Sequence, residues 1–264
     1  MAKQKIKKQK SLRYLKESET QIWIIVGIFA LSILFGIINA NVLEKIINPL
    51  LKEIVEQTKD LTGLSLIIFI FTNNVLTSLY SLVLGVFLGI LPIFTALING
   101  IILGYVINKT TTTISILEIW RLFPHGIFEL PAVFISLGLG LKLGYTTLKN
   151  YLKNKKNIGM QVLGILSLVI GIIGMVALKT AFFLITRLTR NEILSSLHIT
   201  AGILYLMIGL SLLLPFFLLF FILDKKIRRF NFQNINSALK IFLVVVIPLL
   251  MIAAIIEGLL ITLL

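Results

Sequence analysis

Residues Phe71 to Gly144 decide how this chain folds: they read FTNNVLTSLYSLVLGVFLG (71–89), FTALINGIILGY (94–105) and LEIWRLFPHGIFELPAVFISLGLGLKLG (117–144). Each segment is apolar enough for lipid, yet each carries small and polar residues at helical spacing. In the first, Asn74, Ser78, Ser81, Gly85 and Gly89 follow one another at steps of four, three, four and four, so one face is small or polar along the whole helix. The second repeats the device with Ala96, Gly100 and Gly104, and the third with His125, Glu129, Ala132, Ser136, Gly140 and Gly144. Lipid offers no water to drive helices together, so small residues that let backbones approach mark the faces that meet protein. The pattern predicts three packed transmembrane helices. The first two should form a close antiparallel hairpin through a tight turn at Leu91-Pro92, with Gly85, Gly89, Gly100, Gly104, Gly126, Gly140 and Gly144 as packing positions.

The flanking sequence is of the same kind. A chain of 264 residues that is 58% hydrophobic excludes an ordinary soluble domain and predicts a polytopic all-α membrane bundle embedded in the lipid bilayer. Apolar runs place spans near 22–40, 64–90, 93–108, 125–145, 159–178, 199–223 and 239–262, about seven in all and at least five, within a single membrane domain over 1–264. The net charge of +14 sits beside these runs and not on one soluble face, so it reports topology and not nucleic acid. With the basic tail 1–20 in the cytoplasm, 17 of the 25 Lys and Arg fall on the inner side and 8 on the outer, which predicts N-inside and C-outside. The tail resembles a signal sequence, but the run from Ile22 to Ile38 is too long and ends in Asn39-Ala40-Asn41, so it reads as an uncleaved first span.

After that span, Val42, Leu43, Ile46, Ile47, Leu50, Leu51, Ile54 and Val55 make one apolar stripe opposite Glu44, Lys45, Lys52, Glu53 and Glu56. This is an amphipathic helix, either interfacial on the outer surface or a connector packed on the bundle.

A rise of about 1.5 Å per residue puts Asn73 and Asn99 each roughly 14 Å from the outer boundary, Glu129 roughly 6 Å and Glu257 roughly 8 to 10 Å. All lie in the outer half, so Asn73, Asn74, Asn99, His125, Glu129 and Glu257 are expected to form one intramembrane polar cluster. A charged carboxylate there costs at least about 2.5 kcal/mol, so the two acids must be protonated, hydrated or hydrogen-bonded. Three roles are open for the cluster: fixing helix register, holding an ion, proton or lipid headgroup, and docking a partner. Catalysis is not expected, because no Ser or Cys nucleophile stands beside a base. No metal or cofactor is expected either, with zero cysteines and only two histidines, His125 and His198.

The ordered set FTNNVLTSL, GVFLGI, LINGIILGY, FPHGIFELPAV and PLLMIAAIIEG resembles the stage II sporulation protein M family of integral membrane proteins. The resemblance assigns 22–150 and 238–262 to a family-like core and leaves 155–230 as a two-helix insertion. It carries over Asn73, Asn74, Asn99, Gly100, Pro124, His125, Gly126, Glu129 and Glu257 as motif positions without a catalytic role. In spore-forming bacteria the founding members belong to an engulfment complex that brings peptidoglycan-cleaving partners to the membrane. The resemblance therefore implies a non-enzymatic scaffold with envelope proteins as partners, a homo-oligomer being left open. The alternative is a transporter or permease-like subunit whose Glu, Asn and His cluster handles a proton, ion or lipid.

Overall fold

The computed structural model describes residues 10–86, 89–113, 123–153 and 225–263. Every described element is a helix. Residues 10–16 form α1, followed by α2 (Glu19–Ile38), α3 (Ala40–Thr58), α4 (Gly63–Leu84), α5 (Ile90–Thr113), α6 (Phe123–Lys153), α7 (Lys225–Ile241), a π-helical turn (Phe242–Val246) and α8 (Ile247–Leu263). Five stretches are long and apolar enough to cross a membrane: Glu19–Ile38, Gly63–Leu84, Ile90–Thr111, Gly126–Asn150 and Phe232–Ile261. The expected spans at 159–178 and 199–223 lie outside the described residues. The chain divides into two compact units, 1–149 with 231–264, and 150–230.

Helix α6 is the centre of the first unit. Leu137, Leu139 and Leu143 are sealed from solvent, as are Ala132 and Ser136. Against α2, Leu137 shares a cluster with Ile25 and Ala96, and Phe134 meets Phe29 edge-on with ring centroids 5.1 Å apart. Further along, a Cβ on Gly138 would strike Ile22. The paired numbers run in opposite directions, so α2 and α6 are antiparallel. Helix α4 runs parallel to α6: the Ser136 hydroxyl donates to the Ser78 carbonyl at 2.8 Å, and a Cβ on Gly140 would lie 2.7 Å from the Ser81 carbonyl. Helix α8 closes on α4, with Gly258 against Ile67. Because the lipid around the bundle is as apolar as leucine, these contacts stabilise through dispersion and close backbone approach, with little hydrophobic gain.

The small-residue stripes of α4 and α5 do not meet each other as the pattern predicted. The α4 stripe packs on α6, while Gly100 and Gly104 of α5 pack on Phe29, Ser32 and Ile33 of α2, which runs parallel to α5. The physical reason is that α2 offers a small face of its own, Ser32 and Gly36, and a Cβ at Gly36 would strike the Ile101 carbonyl. Between α4 and α5 the Ser81 and Thr95 hydroxyls remain in contact at 2.8 Å. The turn also lies earlier than Leu91-Pro92. It is made at Gly85 to Gly89, where Gly89 adopts φ +71° and its N–H donates to the Gly85 carbonyl at 2.8 Å. Pro92 sits in the first turn of α5, where its missing N–H costs nothing.

The amphipathic helix is present as α3, and its stripe is split. Leu43, Ile47 and Leu51 pack with Ala40 on Tyr105, Ile101, Ile102 and Val106 of α5, while Val42, Ile46, Ile54 and Val55 stay exposed. At Pro248 the helix does not break. The preceding turn widens to π geometry, and the Ile247 N–H reaches back to the Phe242 carbonyl. A wider turn relieves the clash of the Pro248 ring with the preceding turn.

Candidate functional site

Helices α4, α5, α6 and α8 carry the expected polar set. Asn73 is exposed on α4 and Asn74 half-buried beside it; Asn99 is exposed on α5. Glu129 on α6 and Glu257 on α8 are each half-buried, and His125 falls in the first turn of α6 with its side chain outside the described set. Among the described residues no group of three His, Asp or Glu side chains is placed to share a metal ion.

Of the expected packing glycines, Gly85, Gly89, Gly100, Gly104 and Gly140 lie at helix contacts so close that an added Cβ would overlap a neighbour, and Gly144 is buried. Gly126 differs: a Cβ there meets only Leu130 of its own helix, at 3.9 Å. Gly36, Gly138 and Gly258 make equally close contacts without belonging to the stripes that the spacing marks. Gly36 and Gly258 follow the small residues Ser32 and Ala254 by four positions, a local signal of the same kind, whereas that of Gly138 lies on its partner helix.

Two polar nodes escaped the reading of the sequence. At one end, the Lys109 ammonium donates to Glu44 Oε2 at 2.7 Å, and the Tyr105 hydroxyl donates to Asn48 Oδ1 at 2.6 Å. These bonds hold α3 back along α5. The Lys109 hydrogen bond keeps the Glu44 carboxyl below the usual carboxylate range. The node borders a groove of about 280 Å³.

At the other end Lys142 is 7% exposed, in a helix otherwise lined there by leucine and glycine. Its ammonium donates to the Tyr14 carbonyl at 3.2 Å and to Glu17 Oε2 at 3.3 Å, and stands 4.3 Å from the Tyr14 ring centroid. Arg13 Nε binds the other oxygen of Glu17 at 2.9 Å. The Arg13 hydrogen bond, with help from Lys142, draws the Glu17 carboxyl below its usual range against the cost of desolvation. Burial, with the Glu17 charge second, pushes the Tyr14 phenol up. The basic tail is thus docked from Lys10 onward: Tyr14 and Ser18 are buried, and the Ser18 hydroxyl closes the joint to α2 on the Tyr14 carbonyl at 2.7 Å. Among the described residues, the Tyr14 hydroxyl and Gln21 Oε1 are buried without a hydrogen-bond partner.

Beside this node α1 and α7 frame a groove of about 420 Å³. Chemically the two ends can recognise charge.

The family model for stage II sporulation protein M matches residues 25–183, more than half of the chain. The matched segment contains Asn73, Asn74, Asn99, His125, Glu129 and Lys142, runs past residue 155 where an insertion was expected to begin, and stops before Glu257. Comparison with curated proteins and with solved structures returned no match.

Proposed function

The chain belongs to the stage II sporulation protein M family of integral membrane proteins, and from that premise we propose that it is a non-enzymatic scaffold of a cell-envelope complex. One observation carries this reading. From Ser136 to Gly144 every residue of α6 except Leu141 is buried, and its glycines touch the backbones of α2 and α4. A core closed at backbone contact is suited to holding a fixed surface, whereas alternating access needs two arrangements of comparable stability about a central site. The surface it holds is α3 with its exposed apolar residues, on the side assigned to the exterior by the distribution of Lys and Arg. The N-terminus is then cytoplasmic and the C-terminus outside.

The test has two arms. A photo-crosslinker at Ile46 or Glu53, in native membranes, should capture one defined envelope protein that a crosslinker at lipid-facing Leu31 does not. Proteoliposomes holding the purified protein and a pH-sensitive dye should show no proton flux above empty vesicles. A flux abolished by Glu129→Gln or Glu257→Gln would overturn the scaffold reading in favour of transport.

A further inference from the structure

The groove between α1 and α7 is placed, charged and sized for one class of ligand. Its first wall, from Lys10 to Glu17, ends just before the apolar span that opens at Glu19. Its second wall lies on α7 up to Lys240, at the start of the span Phe232–Ile261. The opening therefore sits at the edge of the hydrocarbon, where lipid headgroups lie. Lys10, Arg13 and Lys240 bring three positive charges to it against Glu17 alone, and both oxygens of Glu17 are already held, by Arg13 and by Lys142. Among the described residues, Lys10 and Lys240 form no ion pair with a carboxylate. Asn234 and Asn236 add amide donors.

A second, independent observation points the same way. Tyr14 lines the groove and is 6% exposed, and its hydroxyl has no hydrogen-bond partner. Buried hydroxyls are nearly always hydrogen-bonded, and an acceptor seated in the groove would satisfy this one. The volume of about 420 Å³ leaves room for a group larger than a lone phosphate.

We propose that this groove binds the headgroup of an anionic phospholipid, with Lys10, Arg13 and Lys240 around the phosphate and the Tyr14 hydroxyl and the amides of Asn234 and Asn236 as donors. Basic recesses between membrane helices at the headgroup level are a known physical solution for such lipids, each Lys or Arg near the surface contributing about 1 kcal/mol. The acyl chains would lie along the exposed apolar flanks of the spans, which a soluble anion does not use. The inference is independent of whether the protein is a scaffold.

The experiment uses full-length purified protein in phosphatidylcholine nanodiscs doped with phosphatidylglycerol, extracted into mild detergent, with co-purifying lipid quantified by mass spectrometry. The protein should enrich phosphatidylglycerol over its proportion in the disc, and millimolar inorganic phosphate should not displace it. Lys10→Gln with Lys240→Gln should lower the enrichment by about five-fold per charge. Lys59→Gln, a charge of the same kind at the other end, should leave it unchanged. Tyr14→Phe keeps the ring under Lys142 and removes only the unpaired hydroxyl; it should lower lipid retention while leaving the melting temperature equal or higher, which a purely structural tyrosine would not do. Equal retention of phosphatidylcholine, an unaltered double variant, or displacement by phosphate, which would mark a free-anion site, would each overturn the proposal.

Discussion

A lysine near the end of a transmembrane helix ordinarily extends its charge to the headgroups. Lys142 instead turns inward, because α1 brings a carbonyl, a carboxylate and an aromatic face to meet it. Removing it should undock α1 before it harms the bundle. For Lys142→Met, the loss of a hydrogen-bonded pair whose carboxylate is half exposed is worth about 1 kcal/mol, so tryptic cleavage after Lys10, Arg13 and Lys16 should accelerate about five-fold while the helical signal persists. The same joint sets a pH dependence. The folded-state pKa of Glu17 is depressed, so its contribution is complete above the ordinary carboxylate range and is lost as pH falls through the lowered value. Acidification from neutral should therefore leave α1 protected until well into the acid range, then release it, and Glu17→Gln should abolish that acid-dependent release; proteolysis across a pH series with an acid-tolerant protease checks it. In the sequence Lys142 is one of 25 basic residues, with no mark of its own. Nothing local to it says that Tyr14, 128 positions away, will lie against its ammonium.

At the scale of the element, spacing and apolar length located the five spans among the described residues, since period 3.6 and apolar length are local properties. Which faces pair was not local. Gly104 and Gly27 look equivalent as glycines in apolar helices, yet a Cβ on Gly104 would strike the Ile33 carbonyl and a Cβ on Gly27 meets nothing within 4 Å. Gly104→Ala should therefore lower stability by about 1–3 kcal/mol, because backbone must shift to admit the methyl, while Gly27→Ala should be neutral or slightly stabilising. Thermal unfolding in one detergent, compared side by side, decides between them. Helix α3 makes a similar point. Its stripe was legible, but not that Leu43, Ile47 and Leu51 would take α5 while Val42, Ile46 and Ile54 stay free, because the division depends on where Tyr105 and Lys109 reach it. Tyr105→Phe leaves Asn48 Oδ1 without its donor, a cost of about 0.5–1.5 kcal/mol, and amide exchange in α3 should rise without a matching rise in α6.

For the whole molecule, orientation in the membrane is the property most open to direct measurement, and the absence of cysteine supplies a clean background. Single cysteines at Lys45 and Lys59 should react with an impermeant maleimide on intact cells, and those at Lys149 and Ser237 only after permeabilisation; the reverse pattern would invert the topology. The amino-acid sequence by itself determined the all-helical membrane class, the family, the periodic small faces and the asymmetry of charge. The class and the small faces follow from composition and from spacing within one segment, set by the length and dielectric of a lipid core, the charge asymmetry from the order of the segments, and the family from the resemblance of five motifs in their order. Only the tertiary structure decided that α5 pairs with α2 and not with α4, that α6 is the central helix, and that the tail folds back to bury Tyr14 against Lys142. Those choices turn on which two surfaces come close enough for dispersion and hydrogen bonds to act. In lipid, where every apolar face is equally well solvated, that complementarity belongs to the pair of surfaces and is written on neither strip of sequence alone.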